Sequence, residues 1–420
     1  TDEIIEDLKQ PYPMLRLVQG DVGSGKTLVA ALAALSALEQ GYQVALMAPT
    51  EILATQHYST IAEIGEKAGL QVALLTGKMP AGERRAIQAR IESGEIDIVV
   101  GTHALFQSSV VFKSLGLTVV DEQHRFGVHQ RLALSEKGRK TELLVMTATP
   151  IPRTLVLTHF GDMDVSLLKE KPAGRQPIDT AILSSNEYER VIARLKAKVA
   201  EGAQAFWVCP LVEESENLNL VSAEDRHKAL SQVFGDRVGL VHGRMKADEK
   251  QEVMERFQRN ELSILVATTV IEVGVDVPNA TIMIIEHAER FGLSQLHQLR
   301  GRVGRGDKRS ACLLLHGDKL TEMAQARLKT IRATEDGFEI AERDLELRGQ
   351  GDLLGTRQSG MPGFRIAIPD YHKDLLEIAH DDAVDLLERN PGLQGAEGEA
   401  ARTLLYLFRK DLAIPLIRAG

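Results

Sequence analysis

Short apolar runs alternating with helix-period stretches organise the first part of the chain. Residues 15–18, 42–48, 72–75, 96–100, 117–120 and 143–146 are continuous apolar segments of strand length. Between them lie an Ala/Leu-rich helical pattern reaching Gln40, a second helix to about Ala68, and a basic helix around Arg84, Arg85 and Arg90. Continuous apolar strands with intervening helices predict a parallel sheet covered on both faces. The alternation breaks over 161–177, where Pro172, Gly174 and Pro177 interrupt it. It restarts with strands at 178–183, 205–209, 238–241, 264–267 and 282–285. The pattern therefore predicts an α/β protein with a first domain over 1–160, a connection over 161–177 and a second domain over 178–330. The remainder, 331–420, reads as helical. Apolar positions 338, 340, 341, 345 and 347 form one packed face that Gly349 and Gly351 should end, and further helices follow at 374–389 and 403–409, around a Gly/Glu-rich loop.

Polar signatures sit where the strands end, which is where such sheets place ligands. The first apolar run leads into Gly20-Asp21-Val22-Gly23-Ser24-Gly25-Lys26-Thr27, and a helix opens directly behind it. Strand, glycine loop and helix in that order are the context of a phosphate-binding loop. Its N–H groups and helix dipole favour an oxyanion, Lys26 would reach the β- and γ-phosphates, and Thr27 would hold Mg²⁺. A bare glycine turn is the bland alternative, and the complete GxxxxGK[ST] spacing weighs against it. The run 117–120 ends in Asp121-Glu122, so an acid can reach the same Mg²⁺ while its neighbour orients the attacking water. Solvated acids at a strand end are the alternative there. In the second domain, Gln298-Leu299-Arg300-Gly301-Arg302-Val303-Gly304-Arg305 sets Arg302 and Arg305 about one helical turn apart, on a shared face. Guanidiniums in that position could stabilise a transferring phosphoryl group from across a cleft; alone, the run would read as a solvated basic loop.

Composition narrows the partners. A formal net charge of −9 over 420 residues excludes an overall basic coat and leaves room for a local basic groove. Cys209 and Cys312 are too far apart for a disulfide framework or metal spacing, which suits a reducing cytoplasm. No apolar run reaches membrane length. His159, His287 and His316 are scattered and read as core or surface residues. The chain starts at Thr1, without methionine, inside a helix-like segment, so it is expected to be a piece of something longer.

The ordered set GDVGSGKT, APTE, GTHALF, DEQHRFGVHQR, TATPIPRTL, LVHGRM, ATTVIEVGVDVPNA and QLHQLRGRVGRG resembles a superfamily-2 helicase motor. The DEQH box with the RFGVHQR that follows resembles the RecG family of bacterial ATP-dependent DNA helicases, over residues 10 to about 360. The resemblance implies two tandem RecA-like domains flanking an ATP cleft, with a C-terminal helical hook. Gly20 to Thr27 and Asp276 would contact nucleotide, with Thr27 and Asp121 holding Mg²⁺ and Glu122 as the catalytic carboxylate. Gln298, Arg302 and Arg305 would meet ATP across the cleft, while His124, Thr147 and Thr149 couple hydrolysis to movement. Thr50, Thr102, His103 and Thr268 match loops that grip the nucleic-acid backbone, and Arg343, Arg348 and Gln358 fall in a translocation motif. Such contacts hold phosphates without reading bases, so binding should be salt-sensitive and sequence-independent. The implied partners are double-stranded and branched DNA (stalled forks, Holliday junctions) and a single-stranded-DNA-binding protein, for a monomer at the bacterial nucleoid. The family's N-terminal wedge domain and glutamine motif have no counterpart here. The transcription-repair coupling factor, with its related motor, is the nearest alternative, and Gln123 and His124 weigh against it. An RNA helicase is disfavoured by 336–360, and a nucleotide-gated binding module by intact Glu122, Arg302 and Arg305.

Overall fold

The structure, a computed structural model, describes residues 1–77, 79–121, 141–151, 163–170, 176–210, 216–268, 277, 279–304, 306, 308–355 and 373–408. The first lobe holds α1 (Asp2–Asp7), β1 (Leu15–Gly20), α2 (Lys26–Glu39), β2 (Gln43–Met47), α3 (Glu51–Ala68), β3 (Val72–Leu75), α4 (Ala81–Ser93), β4 (Ile98–Gly101), β5 (Leu115–Asp121), β6 (Glu142–Thr147) and β7 (Asp164–Leu168). The second holds β8 (Ile178–Ser184), α5 (Tyr188–Ala200), β9 (Gln204–Val208), α6 (Glu216–Phe234), β10 (Val238–Val241), α7 (Ala247–Gln258), β11 (Ile264–Ala267), β12 (Ala280–Ile285), α8 (Leu293–Arg300) and β13 (Ser310–His316). Four helices follow: α9 (Glu322–Ala333), α10 (Gly337–Gly355), α11 (Lys373–Arg389) and α12 (Gly395–Leu407).

Both sheets are parallel throughout, in the orders β3-β4-β2-β5-β6-β1-β7 and β10-β11-β9-β12-β13-β8. Strand by strand, the second order repeats the first, with β8 standing for β1 and β12 for β5. Side chains alternate between the faces, as the two-residue repeat of a strand demands. In the first lobe Val18, Leu46 and Val119 pack on one side and Leu17, Met47 and Val120 on the other. Trp207 and Phe206 likewise go to opposite sides of the second sheet. Burial on both faces is why these strands are predominantly apolar, with Arg16, Gln19 and Thr118 as buried polar exceptions.

A buried glutamine opens the corresponding strand of each lobe. Gln43 Nε2 donates to the carbonyls of Ile91 and Ile96, at 2.9 and 2.8 Å. Gln204 Nε2 donates to those of Phe257 and Leu262, at 2.6 and 2.7 Å. Each amide thus ties the end of one helix to the approach of the next strand, satisfying carbonyls that no ladder reaches.

Four details differ from the sequence expectations. Strand β7 lies inside the stretch read as a connection and pairs with β1; as a half-exposed edge strand it has no continuous apolar signal. β13 was not anticipated, although Cys312, Leu314 and Leu315 are buried in it. Helix α10 continues through Gly349 and Gly351 to Gly355, since a mid-helix glycine costs only about 1 kcal/mol. Residues 395–402, expected as loop, open α12. Both thiols are buried, and burial pushes that of Cys312 up to about 12. Among the described residues no helix is long and apolar enough to cross a membrane.

Candidate nucleotide site between the lobes

The glycine loop leaves the carboxyl end of β1 and turns into α2 through Gly25, whose φ of 88° is left-handed and suits glycine. Gly20 is tightly enclosed: a β-carbon there would collide with Ser24 Oγ and stand 2.9 Å from Leu168 Cβ. Lys26 Nζ donates to the carbonyls of Gly20 and Asp21, both at 2.8 Å, so its ammonium lies inside the loop's curve. β5 and β1 flank β6, with Asp121 beside Met146 and Gln19 beside Thr147. Loop, Thr147 and Asp121 therefore share three adjacent strand ends. Thr147 Oγ1 accepts from the Thr149 amide at 3.2 Å, fixing the turn that follows β6.

Asp121 is buried, and His57 Nε2 lies 2.7 Å from its Oδ2. Among the described residues no three His, Cys, Asp or Glu side chains gather as a metal cage. A single carboxylate beside a threonine and a phosphate loop is instead the donor set of Mg²⁺, which completes its shell with phosphate oxygens and water.

The second lobe meets this loop directly. His297 Nε2 is 2.8 Å from Asp21 Oδ1, which also accepts from the Val22 amide at 2.6 Å. The next residue, Gln298, donates through Nε2 to Thr149 Oγ1. A β-carbon on Gly301 would stand 3.2 Å from Val22 Cβ, so backbone from the second lobe abuts the loop. Gly337, the first residue of α10, fits against both His297 Nε2 and Pro150 Cγ, with room for no side chain. Arg300 is buried and donates to the carbonyls of Ile331 and Thr334, binding α8 to the end of α9 just before α10. One segment thereby touches the loop, the turn after β6 and the helix expected to drive translocation.

One expectation fails. Arg302 does not stand on a helical face, because α8 ends at Arg300, with Gly301 as its cap and Gly304 at a left-handed φ of 75°. Arg302 is buried in the turn beside Gly301. Glu122, His124, Asp276, Arg305 and Gln358 lie outside the described residues, as does the side chain of Arg348. Of the residues expected at nucleic acid, Thr50 caps α3 by accepting from the Leu53 amide at 3.3 Å, and His103 is exposed. Thr102 and Thr268 are buried. Arg343 is exposed and paired with Glu346 at 2.9 Å. Sequence reasoning passed over His57, His297 and Arg300. The first was visible as a polar residue on the stripe Leu53, Ala54, Ile61 that α3 buries.

Comparison with known proteins accounts for the arrangement. The DEAD/DEAH box helicase family matches residues 2–157, the helicase conserved C-terminal domain matches 186–307, and the C-terminal part of domain 3 of the ATP-dependent DNA helicase RecG matches 334–412. The RecG helicase of Pasteurella multocida (strain Pm70) is 55% identical over 373 residues, 87% of this chain and 54% of that protein. That of Bacillus subtilis (strain 168) is 51% identical over 387 residues, 92% of this chain and 57% of that protein. A structure of RecG bound to a three-way DNA junction superposes with a TM-score of 0.74 at 46% identity, covering 90% of this chain and 49% of that one. The chain spans about half the length of the curated relatives it matches. Through both motor lobes and the domain-3 segment behind them, it belongs to the RecG family of ATP-dependent DNA helicases.

Proposed function

We propose that this chain hydrolyses ATP in the cleft between its lobes and uses the cycle to translocate along double-stranded DNA, remodelling branched DNA such as stalled forks and Holliday junctions. The observation that carries the reading is the triple contact of α8 and its following turn: Asp21 of the loop, Thr149 after β6, and Gly337 at the start of α10. Any change in how the lobes meet over a triphosphate moves the first turn of α10. States that differ in that contact can bind DNA differently, which is what nucleotide needs in order to bias them.

Gly20 to Thr27 cradle the phosphates, Lys26 neutralises them, and Thr27 and Asp121 hold Mg²⁺. The metal supplies charge neutralisation on the phosphate oxygens when bound. Glu122 orients the attacking water, and Gln298, Arg302 and Arg305 approach from the second lobe; Asp276 belongs to the same nucleotide set by its motif. His124, Thr147 and Thr149 transmit the lobe movement. Thr50, Thr102, His103, Thr268, Arg343, Arg348 and Gln358 contribute to DNA contact. A junction preference would be supplied by the part of the family's length that this chain does not span. The test compares ATPase stimulation by forked DNA, linear duplex and RNA, in this chain and in one extended to the relatives' full length. Duplex DNA should stimulate both, and the fork preference should be larger in the longer chain. Stimulation by RNA equal to that by duplex would reject the reading.

A further inference from the structure

We infer that His57 is a positioning residue for the magnesium site: it fixes the Asp121 carboxylate and ties it to helix α3. This rests on the proposed role of Asp121 as the metal's acid.

His57 occupies a core position. Helix α3 buries Leu53, Ala54, His57, Ile61 and Gly65, so an imidazole stands on an otherwise apolar stripe. Its Nε2 meets Asp121 Oδ2 at 2.7 Å with both side chains about one-tenth exposed. An ionised carboxylate only accepts, so Nε2 donates. With Oδ2 held, the carboxylate plane is set, and Oδ1 is the oxygen left to offer a cation. Outer-shell partners of this kind orient a ligand and commonly contribute 10–100-fold to metal affinity.

The second lobe supplies an internal comparison. Its strand matching β5 is β12, and the residue just beyond it is Glu286, also buried. Its helix matching α3 is α6, and Arg226 on α6 reaches Glu286 Oε1 at 2.6 Å. Both lobes therefore place a basic side chain from the helix after their second strand on an acid at the end of their fifth-in-sequence strand. The lobe without a glycine loop closes the pair with a guanidinium that is always charged and flanked by the Tyr188 and Trp207 rings. The lobe with the loop uses an imidazole, which can occupy one carboxylate oxygen and leave the other. Satisfying a buried acid would be equally well done by arginine; histidine at this place fits an acid with a second partner.

The test uses a fluorescent, non-hydrolysable ATP analogue titrated in EDTA and in Mg²⁺, with the intact chain and the variants His57→Met, His57→Gln and Asp121→Asn. Met fills the space without a donor, and Gln restores a donor at the same reach. His57→Met should lower the Mg²⁺-dependent gain in affinity by about 10–100-fold while leaving the affinity in EDTA within about twofold, and His57→Gln should recover most of the gain. An unchanged Mg²⁺ gain in His57→Met would overturn the inference, as would an equal loss of affinity in EDTA and in Mg²⁺ or a failure of Gln to restore. Asp121→Asn separates the two levels: if it keeps the full gain, the metal role of Asp121 fails and His57 falls with it. If Asp121→Asn loses the gain and His57→Met does not, only the positioning role is refuted.

Discussion

Replacing Gln204 with leucine removes an amide that donates to the carbonyls of Phe257 and Leu262, inside a site with no exposure at all; Phe257 keeps the Asn260 amide at 3.1 Å, whereas Leu262 loses its donor. Each buried acceptor left without a donor costs about 1–3 kcal/mol. Gln204 Oε1 is itself buried without a hydrogen-bond partner among the described residues, so deleting it returns part of that cost. The balance is a loss of roughly 1–2 kcal/mol. Gln43→Leu has no such relief: Ile91 keeps the Gly94 amide at 3.1 Å, but the Ile96 carbonyl loses its donor and the Ser114 amide, which donates to Gln43 Oε1 at 3.1 Å, loses its acceptor, so it should cost more, about 2–4 kcal/mol. The chain has a single tryptophan, Trp207, fully buried three residues beyond Gln204. Its fluorescence therefore reports on the second lobe, while circular dichroism reports on both. At about 2 kcal/mol per molar urea, Gln204→Leu should move the Trp207 midpoint down by roughly 0.5–1 M. Gln43→Leu should move mainly the dichroism transition. A Trp207 midpoint unmoved by Gln204→Leu would refute the idea that this amide staples the second lobe.

Lys26→Ala should abolish measurable ATP binding by calorimetry, and unchanged binding would remove the glycine loop from the mechanism. His297→Ala deletes a buried hydrogen bond between the lobes worth about 1.5–3 kcal/mol. It should reduce DNA-stimulated turnover about tenfold or more with little change in nucleotide affinity, and wild-type turnover would count against the contact. His287 accounts for a pH effect. Its hydrogen bond with Glu289, at 3.0 Å, raises the imidazole pKa above its ordinary value against partial burial. A raised folded pKa gives stabilisation that is complete below about pH 6.5 and fades as pH rises through the folded value. Glu289→Gln should return the His287 proton resonance titration towards its ordinary midpoint and flatten that slope.

The fold was legible because both sheets bury both faces, so the central strands announce themselves as predominantly apolar runs. β7 did not, since an edge strand with half-exposed residues carries no such run. The strand, turn and helix around 20–27 were legible from spacing, because the turn into α2 takes the left-handed φ at Gly25 that glycine suits. His57 and His297 were not singled out, since their partners, Asp121 and Asp21, are remote in sequence and only the sheet order brings them close. Arg302 was expected on a helical face and lies in a turn. A three-residue interval suggests a helical face only if the helix continues, and Gly301 and Gly304 end it.

The repeated strand order makes the asymmetry between the lobes a matter of a few residues. Where β1 runs into the glycine loop, β8 ends at Ser184, whose hydroxyl accepts from the Asn186 amide at 3.2 Å, and a single turn, Ser185–Glu187, leads into α5. Without glycines that turn cannot present a concave row of N–H groups to an anion. The space beside it is lined by Ser185, Tyr188, Arg226, Glu286, His287 and His316, and its principal charges already neutralise each other through Arg226 and Glu286. A triphosphate placed there would meet Glu286 at the place of Asp121, already closed by Arg226, and Tyr188 opening the helix where the first lobe has Lys26. The second lobe has thus kept the architecture of a nucleotide site while its charges are matched internally. What it can still give to nucleotide bound on the first lobe are the side chains it carries across the cleft. For that reason the proposed function makes the contacts that bring the lobes together, His297 on Asp21 and Gln298 on Thr149, as necessary to turnover as the loop itself.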